Sequence, residues 1–376
     1  MRWALMAMTV AAVPATAQDK GFRTQGDTVS IDAAGITMPA RIGTLTLVRT
    51  AEFTRKGDGL DNVAQFESPD GQLFVSAYVY MPPIADAAIA AYATDRAIKG
   101  RFGPGVVLSQ QTVVPVAGRP DAMIRNIYTG AVEPGQGGTN TALSGKPLAT
   151  AAGFATVGAW TVKLRASGPV DRQAEVLAAL DALIAGLKVA NSERLATTRP
   201  MTFAAPCPDT SGDKAKLLKS PEIDPDQLIG AMVSGIAQSV TLPGQSERVT
   251  FPDQGRTPAC VRGTVQIGRE RVDLIQPAGS THPDAVLAVI SDSGNVFAIN
   301  RSPFDKAYAI QVHSVGQTMA LGRLDRQPRT AQLQEWLGSG QAPEFAVRST
   351  TIIDADGKRR VRMPNGTTMS VTTKKN

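Results

Sequence analysis

Leu73-Phe74-Val75-Ser76-Ala77-Tyr78-Val79-Tyr80-Met81 is the most strongly patterned run in this chain of 376 residues. Side chains of a strand alternate between its two faces, so Leu73, Val75, Ala77, Val79 and Met81 share one and Phe74, Ser76, Tyr78 and Tyr80 the other. Both faces are largely apolar, whereas a strand with water on one side shows a clean polar face. The run is therefore expected mid-sheet, covered on both sides. Upstream, Ser68-Pro69-Asp70-Gly71 has the turn chemistry that joins it to Asn62 through Glu67, and Arg55 to Gly59 links that strand to Thr44 through Thr50. The stretch from Gly43 to Pro83 thus reads as a β-meander. Pro82-Pro83 stops it and opens a helix from Ile84 to about Lys99, with Ile84, Ala88, Ala91 and Tyr92 on one side. The aromatic face of Phe74, Tyr78 and Tyr80 reads as a helix-packing surface, or as a ligand groove if no helix covers it.

Val106 to Val116 and Ala122 to Ala131 form a strand pair turned at Gly118 to Asp121. Strands follow at Ala149 to Thr156 and Trp160 to Arg165, then an amphipathic helix through Leu177, Leu180, Ile184 and Leu187. With short strands at Val29 to Ile31 and Ile36 to Met38, this makes an N-terminal α+β domain over residues 18–190. In element order it resembles the PsbP-like arrangement of an antiparallel sheet flanked by helices. The resemblance rests on that order alone and implies neither an activity nor a site residue.

Residues 191–206 are polar and Pro-containing, a linker. A second α+β domain occupies residues 207–344, again a mainly antiparallel sheet flanked by helices. Its expected elements are a helix after Asp224-Pro225, then strands Arg248 to Phe251, Ala259 to Ile267, Arg271 to Ile275, Val286 to Ile290, Val296 to Asn300 and Tyr308 to Val312. A closing helix spans Thr330 to Trp336. The tail, residues 345–376, divides into three short strands at Asp354 to Gly357 and Pro364 to Gly366.

The first 17 residues have the anatomy of a secretory signal: Arg2, an apolar run from Trp3 to Val13 too short to span a bilayer, and Ala15-Thr16-Ala17 as an A-x-A cleavage site. Cleavage near Ala17 predicts a periplasmic protein, with release to the medium as the alternative. No transmembrane helix is expected after signal removal. Cys207 and Cys260, in an oxidising compartment, are expected to pair. The loop closed is about 54 residues, for which chain entropy gives an upper figure of about 4 kcal/mol.

The net charge of +6 is not spread over the molecule. The last 32 residues hold seven Lys and Arg against two Asp, and Arg2 leaves with the signal, so the remainder is neutral. Nucleic acid is thus not an expected partner, and an anionic partner would be met by the tail. There Lys358, Arg360 and Arg362 project from one face of a strand as a row of about 13 Å. At about 1 kcal/mol each they amount to weaker than millimolar affinity alone. The row therefore reads as an anion-contact surface or as a charged edge that prevents strand-to-strand aggregation.

No stretch carries a catalytic signature. Gly138 to Lys146 departs from a phosphate loop at Asn140 and at Pro147, where a magnesium-binding hydroxyl is required. Asp354-Ala355-Asp356-Gly357 starts like a calcium loop but continues into Lys358, Arg359 and Arg360. His282 and His313 lack the spacing of a zinc site, and Ser280, His282 and Asp284 crowd one turn too closely for a triad. No metal or other cofactor is expected. The sequence reads as a non-enzymatic envelope protein that binds or assembles, meeting another envelope protein or an anionic polymer or lipid surface through its tail. The alternative is a hydrolase whose residues are dispersed along the chain.

Overall fold

A computed structural model describes residues 21–54, 58–135, 143–204, 207, 213–218, 258–267, 270–279, 285–302, 306–338, 347–355 and 358–371. Outside them lie the signal segment, the helix expected after Asp224, the strand at Arg248 to Phe251, His282 and the centre of the Gly-rich loop.

Among the described residues strands far outnumber helices, and they form three antiparallel sheets. A small sheet joins β1 (Arg23–Gln25), β2 (Thr28–Ile31), β3 (Ile36–Pro39) and β12 (Lys188–Val189). The large N-terminal sheet contains β4 (Arg41–Ile42), β5 (Leu45–Glu52), β6 (Asp61–Glu67), β7 (Phe74–Tyr80), β8 (Val107–Val116), β9 (Arg119–Val132), β10 (Pro147–Val157) and β11 (Trp160–Pro169). Its spatial order is β4-β5-β6-β7-β11-β10-β9-β8, which places β7 in the interior as its two apolar faces require. The hairpin between β8 and β9 turns at Ala117-Gly118, with φ of 46° and 81°. That is one step earlier than the Gly118 to Asp121 turn expected, because a two-residue turn with both φ positive matches the strand twist.

The C-terminal sheet runs β13 (Ala259–Ile267), β14 (Glu270–Pro277), β15 (Ala285–Val289), β16 (Val296–Arg301), β17 (Tyr308–Ser314), β18 (Gln317–Leu324), β19 (Ser349–Ile353), β20 (Arg359–Arg362) and β21 (Thr368–Val371), in simple sequence order. β18 is an addition to the expected strands. The three tail strands pair onto it through β19 and so continue this sheet. Cys207 and Cys260 form a disulfide with Cα atoms 5.2 Å apart. It ties the incoming chain, where Phe203 bridges Ala259, to the first strand of the sheet.

Among the described residues three α-helices set the layering: α1 (Ala87–Phe102), α2 (Gln173–Gly186) and α3 (Thr330–Gly338). α2 buries Val176, Leu180, Leu183 and Ile184 on the Val75 and Val79 face of the N-terminal sheet. α3 inserts Leu333 and Trp336 among Val265, Val272 and Leu274 of the C-terminal sheet. Between the sheets lies α1. One side of it, with Ala87, Ala88, Ala90 and Ala91, packs on Ile124, Ala152 and Phe154. The other, with Ile89 and Ala93, packs on Ile275, Leu287, Val289, Val296 and Ala298. The layers are therefore helix, sheet, shared helix, sheet, helix. This differs from the single buried side expected of the helix, and it starts later than Ile84. Asp86 is its N-cap, accepting from the N–H groups of Ala88 at 2.7 Å and Ile89 at 3.2 Å. Among the described residues no helix is long and apolar enough to cross a membrane.

Where the halves meet, backbones come close. The Gly316 N–H donates to the Met81 carbonyl at 3.1 Å. Gly294 sits at φ +87°, where a Cβ would lie 2.9 Å from Pro82 Cβ. Gly279 has a similar φ of +80° with nothing within 4 Å. Both alanine variants meet the left-handed backbone cost of about 1–2 kcal/mol, but only Gly294→Ala must also push the halves apart. Urea unfolding is expected to show Gly294→Ala less stable than Gly279→Ala by about 1–2 kcal/mol.

Candidate functional site

The N-terminal sheet face toward α1 carries polar groups where a mid-sheet strand usually does not. β11 alternates Thr161, Lys163, Arg165 and Ser167 on this face, against Val162, Leu164 and Ala166 on the other. Register sets Lys163 beside Tyr78, Thr161 beside Tyr80 and Arg165 beside Ser76 on β7, while β6 sets Asp61 beside Tyr80. α1 covers β9, β10 and the near edge of β11. Over the Tyr78 and Tyr80 stretch of β7, the turn between β15 and β16 descends from the C-terminal sheet.

That turn supplies Asp292. Lys163 Nζ donates to its Oδ2 at 2.9 Å and to its carbonyl oxygen at 3.1 Å, and lies 4.6 Å from the centroid of the Tyr78 ring. The lysine side chain is 7% exposed and the aspartate 34%, so the cation is sealed while its counter-ion keeps an edge in water. Burial pulls the Lys163 pKa down, and Asp292 opposes this. Burial also pushes Asp61 up to about 6 against the pull of Lys163. Asp86 is likewise pushed up to about 6 by burial, despite its two backbone donors. Tyr80, Asp86, Thr161 and Asp292 help line a cavity of about 10 Å³, room for a single water. A second bond across the seam joins α1 to β14: Arg96 pairs with Asp273, and Tyr92 Oη donates to the same Oδ2 at 2.8 Å.

The aromatic face therefore divides. Tyr80 is buried at 3% exposure beneath the C-terminal turn. Phe74 packs against the group around Phe102, Tyr128 and Leu148. Tyr78, half-buried, faces the seam. His313 lies in the C-terminal sheet at 3% exposure, its Nδ1 3.0 Å from Thr318 Oγ1, and burial lowers it to about 4, so it stays neutral. At the far end of the sheet, Lys358, Arg360 and Arg362 are exposed while Val361 between them is buried. Arg360 and Arg362 line a shallow groove of about 70 Å³ with Ile352, Thr368 and, across it, Asp58. Burial lowers the pKa of Arg359, on the inner face.

Lys163, Arg165, Asp61 and Asp292 were not singled out from the sequence. Two cations in phase on a mid-sheet strand were a readable signal, but Lys163 and Asp292 are 129 residues apart and no local pattern joins them. No protein-family model matches this chain, and no curated protein is similar to it.

Two outcomes follow from the seam. Removing one partner of a sealed pair leaves a bare charge, a loss of about 3–5 kcal/mol when both are buried. With a third of Asp292 in water, Asp292→Ala is expected to lose about 2 kcal/mol, more than Lys163→Met, which replaces the cation by an apolar chain of similar length. A larger loss for Lys163→Met would contradict this. The second concerns pH. A carboxyl raised to about 6 stabilises the fold fully below about pH 4 and loses that contribution as pH rises through 6. Asp86→Asn keeps a capping oxygen and removes the titration. In urea unfolding it is expected to gain about 2 kcal/mol over the wild type at pH 7.5, a gain that fades towards pH 4.5.

Proposed function

We propose that the protein is an exported, non-enzymatic component of the cell envelope that acts by binding or assembly, with the outer face of β19–β21 as its contact surface for anionic material. In this reading residues 1–17 are a cleaved signal, and the mature chain works in the periplasm as two α+β domains, each a sheet flanked by helices. The disulfide and the described helices, too short and polar to span a bilayer, are compatible with export as a water-soluble chain.

The observation that carries the reading is the exposed row made by Lys358, just before β20, and by Arg360 and Arg362 on that strand, which is held from behind by buried Val361 and continuous with the whole C-terminal sheet. A row held on a sheet meets a surface without first ordering a loose tail, so little of its attraction is lost to conformational entropy. Its attraction is still modest, about 1 kcal/mol for each cation, which suits a contact that is reinforced by a second site or by many copies.

Replacing all three by glutamine changes no buried group. The variant is expected to unfold like the wild type and to bind vesicles rich in anionic lipid, or a cation-exchange matrix, roughly 100-fold more weakly at low salt. The difference should shrink as salt rises. Equal retention of the two proteins at low salt would remove the proposed contact surface.

A further inference from the structure

We propose that the groove between the Asp58 loop and the outer face of β19–β21 is a site for a phosphoryl group that carries an ammonium at its other end, the chemistry of an ethanolamine phosphodiester. This deepens the reading of β19–β21 as an anion-contact surface and rests on it. The groove has a volume of about 70 Å³, room for several waters or one phosphoryl group, and Arg360, Arg362 and Asp58 all line it with Ile352 and Thr368. Its charges are of both signs and stand apart. Among the described residues the side chains of Arg360, Arg362 and Asp58 make no hydrogen bond and no ion pair, with one another or with a neighbour.

Opposite charges that share a groove without pairing suit a ligand that bears both signs, and each side of the groove selects one end of it. Arg360 and Arg362 leave β20 on its exposed face, about 6.7 Å apart at two residues of strand. In the sheet register Ile352 and Ser370 flank Arg360, and Thr350 and Thr368 flank Arg362. Hydroxyls thus lie beside the guanidiniums, and no carboxylate of these strands competes for them. A carboxylate has two oxygens, which one guanidinium fork already fills, whereas a tetrahedral phosphoryl group can be shared by two. Across the groove Asp58 repels a plain anion and accepts from an ammonium. Its place is fixed: its backbone N–H donates to Thr54 Oγ1 at 3.0 Å, and Leu60, two residues on, is buried in the same apolar cluster as Ile353 of β19.

The test is heteronuclear magnetic resonance of the 15N-labelled full mature chain, with EDTA present so that no metal ion bridges phosphate to Asp58. Glycerophosphoethanolamine, glycerophosphoglycerol and γ-aminobutyrate are titrated at constant ionic strength. The first is expected to shift the amides of Ile352, Arg360 and Thr368 saturably, at least fivefold more tightly than glycerophosphoglycerol, which has the phosphodiester without the ammonium. Asp58→Asn should abolish that preference and leave the glycerophosphoglycerol response no weaker, while Arg360→Gln combined with Arg362→Gln should weaken both. Equal responses to the two phosphodiesters in the wild type, or a preference that survives Asp58→Asn, overturns the proposal, and an equal response to γ-aminobutyrate overturns the phosphoryl assignment. Cosedimentation with vesicles of equal anionic content separates the sources of the ligand. Stronger retention when the remaining lipid is phosphatidylethanolamine than when it is phosphatidylcholine, whose quaternary ammonium has no N–H to give Asp58, assigns the site to a lipid headgroup; equal retention with the glycerophosphoethanolamine response intact assigns it to a soluble phosphodiester. If no probe shifts the groove amides while anionic vesicles still retain the protein, the groove assignment fails and the contact surface stands; loss of both removes both.

Discussion

Helix α1 has to satisfy two sheets at once. It meets the N-terminal sheet through alanines and the C-terminal sheet through Ile89 and Ala93, so much of its circumference is buried. Small side chains on the first side let the helix lie close to Ala152 and Phe154, and the larger Ile89 reaches the second sheet. Such a helix has little propensity problem, since alanine is the best helix former, and its stability depends on being covered. With either sheet removed, apolar surface of α1 would face water. The halves are coupled through this element, and the Gly294 and Gly316 contacts follow from the closeness it imposes.

The same closeness explains why charge is buried at the seam. Lys163 and Asp292 come from different halves and meet only when these are docked. A pair of this kind adds little net stability, yet it disfavours any docking that would leave Lys163 bare. It therefore sets register between the sheets, as Arg96 and Tyr92 do against Asp273 further along. Asp61 and Asp86, both pushed up to about 6 by burial, make the seam sensitive to mild acid in the stabilising direction. His313 acts oppositely: being neutral when buried, it withdraws stability as pH falls from its ordinary value towards 4. Between about pH 6 and pH 4 the two tendencies partly cancel.

Much of the strand layout was legible because β7 alternates strongly, β16 opens on a short apolar run, and the turns beside them carry Gly and Asp. The interior position of β7 follows from its two apolar faces alone. β18 was not legible: on its buried face Thr318, Ala320 and Gly322 precede Leu324, so its inward residues are small or polar and the alternation is faint. The extent of α1's burial was hidden for a related reason, since a ring of alanines looks neither amphipathic nor strongly apolar. Tyr78 and Tyr80 pointed to the right face of the sheet, but the charges that give it chemistry come from β11 and from a turn far along the chain. Long-range pairing of that kind leaves no spacing to read.

Native-state hydrogen exchange across α1 and both sheets tests the shared-helix account most directly. If the halves are coupled through α1, amides of α1, β10 and β15 should open with one common free energy and the same dependence on denaturant. A C-terminal sheet that opens at lower free energy while the amides of α1 keep their full protection would contradict it.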